Sequence, residues 1–383
     1  MFRFSAASLI VLAAAMPALA QDATESEQES FTVQVIAEGL AFPWSIAFLP
    51  SGEMLVAERD GHLRVIEAGG GLRDAAVEGL PDDLVVERQG GLMDVALAPD
   101  FETSRLVYFS YAEGTAQANR TALARGRINA DLTALEDVED LFRVNFDKAR
   151  GFHFGGRILF NEDGTLFLTL GDGGLHREES QNPENHLGMV VRLNMDGSIP
   201  ADNPAIENAA PGAYTYGHRN VQGIARNPET GSVWTHEHGA RGGDEINVLV
   251  PGTNYGWPTV SYGINYNGTL ITRERERSEF AEPYWYWTPS IAPSGMAFYD
   301  GEMFSEWRGD LFVSALAGMT VQRLEIDGDR VIGVENLLED RDQRFRDVRQ
   351  GPDGALYVLI DSDQGEVWRL EHALTPREEE FDG

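Results

Sequence analysis

What most constrains this chain is a unit that returns six times: an apolar pair, a turn built on Gly, Asp, Asn or Pro, then an alternating strand. It is seen in "IAFLPSGEMLVAER", "VALAPDFETSRLVYFSY", "ILFNEDGTLFLTLGD", "IARNPETGSVWTHEH", "WRGDLFVSALAGMTVQRLEI" and "VRQGPDGALYVLID". The turns in "PSGE", "NEDGT", "NPETGS" and "GPDGA" place Gly where a hairpin demands positive φ. Helical periodicity is weak throughout.

The units recur at a spacing of roughly 45 to 80 residues, which suits propeller blades with insertions of variable length. The expected fold is therefore all-β, a six-bladed β-propeller with four-stranded antiparallel blades. A two-sheet sandwich also explains the strands, but it lacks a long-period repeat of one hairpin. With 383 residues and 42% hydrophobic content, the chain has the material for a large core.

Residues 1–20, "MFRFSAASLIVLAAAMPALA", carry Arg3, an apolar run from Ala6 to Met16 and Ala18-Leu19-Ala20 before Gln21. That is the pattern of an export signal, too short for a retained span, and predicts a periplasmic or secreted protein. Residues 21–30, "QDATESEQES", read as a flexible acidic leader. The propeller is expected over residues 31–372 and an acidic tail over 373–383. No segment of the mature chain is apolar enough for a membrane helix. The absence of Cys rules out disulfide support. A formal net charge of −32, from 30 Lys+Arg against 62 Asp+Glu, opposes binding to nucleic acid and anionic lipid.

Chemistry-bearing residues gather at blade starts. In "HFGGRILFNEDGTLFLTLGDGG", a hairpin through Glu162–Thr165 brings His153 near Asp172. This pairs a base with an orienting carboxylate, though a core histidine bonded to backbone competes with that reading. "YGHRNVQG" offers Arg219 and Asn220 as a fork for a carboxylate or quinone oxygen, with loop packing as the alternative. "ERQGGLMD" presents Gln89 beside paired glycines. "QRFRDVRQGPDG" places Arg344 and Arg346 on one strand face, suited to a polyanion or to a salt-bridged surface.

"HEHGARGGDEINVLVPGTNYGWP" carries His236 and His238, but no third ligand at transition-metal spacing. A hard cation fits better: Gly239 and Ala240 offer carbonyls and Asp244 and Glu245 carboxylates, unless these simply face water. The insertion from Thr253 to Ile291 is a candidate binding wall, with Trp285 and Trp287 as candidate stacking platforms. Within it, "TRERERS" reads as a solvated face.

Taken together, "FPWSIAFLP", "QGGLMDVALAPDF", "HFGGRILFNEDGTLFLTLGD", "YGHRNVQG", "DEINVLVPGTNYGWP" and "RFRDVRQGPDGALYVL" resemble the quinoprotein sugar dehydrogenases, the soluble glucose and aldose sugar dehydrogenase group. The resemblance runs from about Phe31 to Leu370. It implies pyrroloquinoline quinone (PQQ) and Ca²⁺ as cofactors and an aldose oxidised to a lactone. An electron acceptor outside the chain and a monomer or homodimer complete that expectation.

By motif, His153 resembles the general base, Asp172 its orienting carboxylate, and Arg219 with Asn220 the quinone-oxygen ligands. Gln89, Tyr266, Arg344 and Arg346 resemble further cofactor contacts. Gly239 and Ala240 align with carbonyls that hold the cofactor's calcium, and Glu245 and Tyr255 resemble ligands of a structural calcium. Two positions depart from the pattern: Ala317 stands where relatives have lysine, removing one cation, and Ala240 where relatives can have proline. Against the dehydrogenase stand a calcium-dependent propeller lactonase and a non-catalytic propeller that binds sugar or protein.

Overall fold

The computed structural model describes residues 24–373. The export signal and most of the acidic tail lie outside the described residues. Antiparallel sheets follow one another along the chain, each opening on its innermost strand: Pro43–Phe48, Leu92–Leu97, Gly155–Phe160, Val221–Arg226, Pro293–Phe298 and Phe345–Gln350. These strands touch in ring order, and the last meets the first, so the sheets form a closed six-bladed propeller.

Closure comes from the N-terminus. Ser30–Leu40 pairs with Gly365–His372 and becomes the fourth strand of the last blade. In the first blade the fourth position is irregular, held by Val77 N–H and Arg73 N–H donating to Leu63 O and Val65 O. The expected flexible leader is corrected in part: Thr24 and Glu25 pair with Phe31 and Ser30, and Glu29 is buried. A hydrogen bond from Glu306 N–H to Glu29 Oε1 anchors that segment to the fifth blade, which outweighs its polar composition.

Each pair of neighbouring blades encloses its own apolar cluster. Leu63, Val65, Phe109 and Tyr111 fill the space between the first two blades, for example, and Phe304, Phe312, Phe345 and Val358 that between the last two. Second strands such as Thr165–Leu170 are consequently buried on both faces, and the alternation expected for them fails. It holds on outer strands such as Arg330–Leu337, where one face meets water. The glycines of the four predicted turns, Gly52, Gly164, Gly231 and Gly354, all have positive φ.

All six innermost strands shift register near their first residue. At such a bulge the ladder loses a partner and the strand bends. Side-chain hydroxyls fill the gaps: Ser110 Oγ accepts from Asp94 N–H and donates to Gly156 O in the next blade. Thr169 Oγ1 does the same between Arg157 N–H and Val221 O.

Candidate active site

His153 precedes the inner strand of the third blade in a left-handed conformation, φ +48°, uncommon for a residue with a side chain. Its N–H donates to Gln89 Oε1 at 2.8 Å, so the second blade helps to hold that backbone. Gly171 makes room for it: a Cβ there would lie 2.3 Å from His153 O. His153 Nδ1 and Asp172 Oδ1 meet at 2.6 Å, joining the two ends of the hairpin as the sequence predicts.

Asp172 is buried and fully engaged. Oδ1 also accepts from Gly174 N–H at 2.7 Å, and Oδ2 from Trp257 Nε1 at 2.8 Å. Burial alone would raise its pKa, but His153, Arg219 and the Gly174 N–H outweigh burial and hold it below the usual carboxylate range. Burial and the Arg219 charge lower the His153 pKa in turn, against the pull of Asp172. The imidazole is therefore neutral at pH 7, its Nδ1 proton directed at Asp172. Nε2 has no hydrogen-bond partner among the described residues, which leaves a free lone pair.

Backbone pairing brings the fourth blade alongside. Gly171 bridges Asn220, and Asp172 N–H donates to Arg219 O at 2.8 Å. Arg219 Nη1 donates to His238 O, and its guanidinium lies 5.3 Å from the Trp257 ring. Next to this group a cavity of about 260 Å³ is lined by the predicted Gln89, Asn220, Tyr266, Arg344 and Arg346, with Tyr266 exposed at its rim. His153 and Arg219 flank it through their chain neighbours Phe154 and Asn220.

Arg344 and Arg346 share one carboxylate that sequence reasoning missed, Asp361, at 3.3 and 3.2 Å. Arg59 lines the same cavity and was also missed. So was Lys148, whose Nζ donates to Asn119 Oδ1 and sits 3.0 Å from the Phe154 ring centroid. Burial pushes its pKa down to about 6 despite the attraction of Asp172. Trp257 lay within the quoted "NYGWP", but nothing in that motif names its acceptor.

The proposed stacking tryptophans are corrected. Trp285–Trp287 forms the fourth strand of the fourth blade; Trp287 is buried, and both rings pack against the Trp234, Met296 and Val313 cluster. Trp287 is therefore closed to a sugar, and Trp285 is half-buried in the same packing. Trp287 Nε1 is committed to Gln322 Oε1 at 2.8 Å.

The cation-binding region is split. Asp244 is spent on structure, accepting from Gly239 N–H, Ser290 Oγ, Ile291 N–H and Ala292 N–H. Gly239, Glu245 and Tyr255 instead surround a small enclosure of about 10 Å³, whereas Ala240 is buried outside its lining. Glu237 joins them there, opposite Glu245 in the strand ladder. Burial and the Glu237 charge push Glu245 up to about 8. Asn247 Nδ2 reaches both carboxylates at 3.3 and 3.4 Å, while its buried Oδ1 has no partner among the described residues. Two crowded carboxylates with an orphaned amide oxygen suit an oxygen-liganded cation. The Tyr255 hydroxyl is committed to Val248 O and Val250 N–H, so only its carbonyl is left as a ligand.

Residues 40–369 match the family model described as Glucose / Sorbosone dehydrogenase. The chain is similar to aldose sugar dehydrogenase YliI of Escherichia coli, 43% identical over 344 residues, covering 88% of this chain and 92% of that one. It is 27% identical to quinoprotein glucose dehydrogenase B of Acinetobacter calcoaceticus over 456 residues, covering 97% and 94%. Among solved structures, the PQQ-bound aldose sugar dehydrogenase of Streptomyces coelicolor superposes with a TM-score of 0.72 at 27% identity, covering 89% and 98%.

Proposed function

The chain is a member of the glucose/sorbosone dehydrogenase family, and from that premise we propose that it oxidises aldose sugars at the anomeric carbon to lactones, using PQQ and Ca²⁺. The observation that carries this reading is a neutral His153, its Nδ1 fixed by Asp172 and its Nε2 unbonded, beside a cavity rich in arginine.

In this proposal His153 Nε2 takes the proton of the anomeric hydroxyl. Asp172 holds the tautomer and stabilises the imidazolium that forms. When bound, PQQ supplies the acceptor for the two electrons and the hydrogen that leave C1, and Ca²⁺ polarises it as a Lewis acid. Arg219 contributes a fixed positive charge within reach of that acceptor, and Asn220 and Gln89 contribute neutral polar contacts. Arg344 and Arg346 hold ligand carboxylates, with Tyr266 at the rim. Gly239 and Ala240 carbonyls hold the cofactor's cation, and Glu245 with the Tyr255 carbonyl a structural one.

The donor sets fit these groups. A cavity whose arginines outnumber its carboxylates suits a polycarboxylate, and the Glu237/Glu245 pair suits a divalent cation. A lactonase would hold its metal on carboxylates and amides lining the channel, which the arginine-lined cavity does not favour. Export by the N-terminal signal, an acceptor outside the chain and a monomeric or homodimeric state belong to the same proposal.

The test is reconstitution of the purified protein with PQQ and Ca²⁺, followed by dye reduction across an aldose panel. Sugar-dependent dye reduction is expected, and His153→Ala should abolish it with PQQ still bound. No dye reduction with any sugar would overturn the reading.

A further inference from the structure

The cavity beside His153 contains a cation with nothing to hold. Arg59 follows the strand Met54–Glu58 of the first blade, with its Cζ 4.2 Å from the centroid of the Phe42 ring. That stacking fixes the direction of the guanidinium. Its backbone is equally constrained: Arg59 N–H donates to Phe42 O, and a Cβ on Gly91 would lie 1.6 Å from Arg59 O. Yet the guanidinium donates no hydrogen bond to any acceptor among the described residues, although it lines the cavity.

The charges around it do not balance. Arg59, Arg344 and Arg346 share the lining with one carboxylate, Asp361. Both oxygens of Asp361 are taken, Oδ1 by Arg346 and Oδ2 by Arg344. Arg346 also keeps a buried Nε without a partner. Burial lowers the Arg59 pKa and so do Arg346 and Arg344, while Asp361 opposes them, so the three guanidinium groups lie close enough to repel. Uncommitted guanidinium donors on a rigid wall are preorganised for a planar carboxylate.

The fifth blade explains why this matters. Arg344 Nη1 donates to Leu316 O at 3.1 Å, and Leu316 lines the same cavity. The fifth blade lines this cavity only through Ala292 and Leu316, neither of which carries a charge. Arg59 therefore supplies from the first blade a charge that the fifth blade lacks.

We propose that Arg59 is a cofactor-binding residue, the third cation for the carboxylates of PQQ alongside Arg344 and Arg346. The proposal rests on the PQQ reading above. It is tested by equilibrium binding of PQQ in saturating Ca²⁺, followed by calorimetry and by quenching of tryptophan fluorescence. Arg59→Gln should weaken binding by about 10- to 100-fold, the worth of one charge-assisted carboxylate contact. Arg59→Lys, which keeps charge but loses the fork, should fall between. A wild type that binds PQQ while Arg59→Gln binds it equally well overturns the assignment and leaves the PQQ reading standing. A wild type that does not bind PQQ overturns both.

Discussion

His153 and Asp172 meet at 2.6 Å between Nδ1 and Oδ1, and the second carboxylate oxygen is pinned by Trp257 Nε1 at 2.8 Å. The acid is thus held from both sides, and the imidazole can present only Nε2 outward. Asp172→Asn keeps the shape but removes the charge that stabilises imidazolium. Turnover with saturating PQQ should fall by about 10²- to 10⁴-fold, the usual worth of a positioned base. Because Asp172 does not line the cavity, PQQ affinity should be unchanged. Steady-state kinetics and equilibrium binding together check this, and turnover within a few-fold of wild type would exclude Asp172 from that role.

The pH dependence follows from the same pair. Burial and Arg219 hold the His153 pKa below its ordinary value, so the neutral base persists under mildly acidic conditions. Activity should be flat through neutrality and fall only as pH drops below about 6.5, the unperturbed histidine value. Removing the Arg219 charge withdraws one lowering cause. The acid limb of kcat/KM for Arg219→Gln should therefore move to higher pH, whatever its absolute rate. An unmoved limb would show that another group sets it.

Much of this was legible because it is local. The turn glycines and the His153-to-Asp172 hairpin lie within single blades, and their spacing in sequence is their spacing in space. Closure by Ser30–Leu40 was not, since a pairing between the chain's two ends leaves no local signal. Arg59 and Trp257 escaped for the same reason, since each acts on a residue from another blade, whereas Asp361 sits across one hairpin from Arg346 in the last blade and was open to the same reasoning that paired His153 with Asp172. Trp285 and Trp287 were misread because a strand inside a long insertion looks like loop until its partner, Asp244–Val248, is known.

The Glu237/Glu245 pair makes a prediction about metal. A buried and a half-buried carboxylate facing each other across a ladder repel without a cation between them. Adding Ca²⁺ to metal-stripped protein should raise Tm by several degrees through binding linkage, and chelator should reverse it. Glu245→Gln should abolish most of that Ca²⁺ response while raising the Tm of the metal-free protein. Differential scanning calorimetry at fixed pH decides it; an unchanged Ca²⁺ response would remove Glu245 from the ligand set.

His236 sets part of the acid stability. It is fully buried, and neither ring nitrogen has a hydrogen-bond partner among the described residues. Burial, aided by the nearby Arg157 charge, lowers its pKa to about 3. In the unfolded chain the same group titrates near 6.5, so between those values the unfolded state binds more protons. The stability that depends on a neutral His236 is intact above about pH 6.5 and is lost as pH falls toward 3. By linkage this amounts to about 2 kcal/mol at pH 5. Replacing His236 by Gln, which does not titrate, should flatten the fall in stability between pH 7 and pH 5 by that amount, whatever it costs at pH 7. Urea unfolding of both proteins across this range provides the comparison. Parallel curves would mean that other groups carry the acid limb.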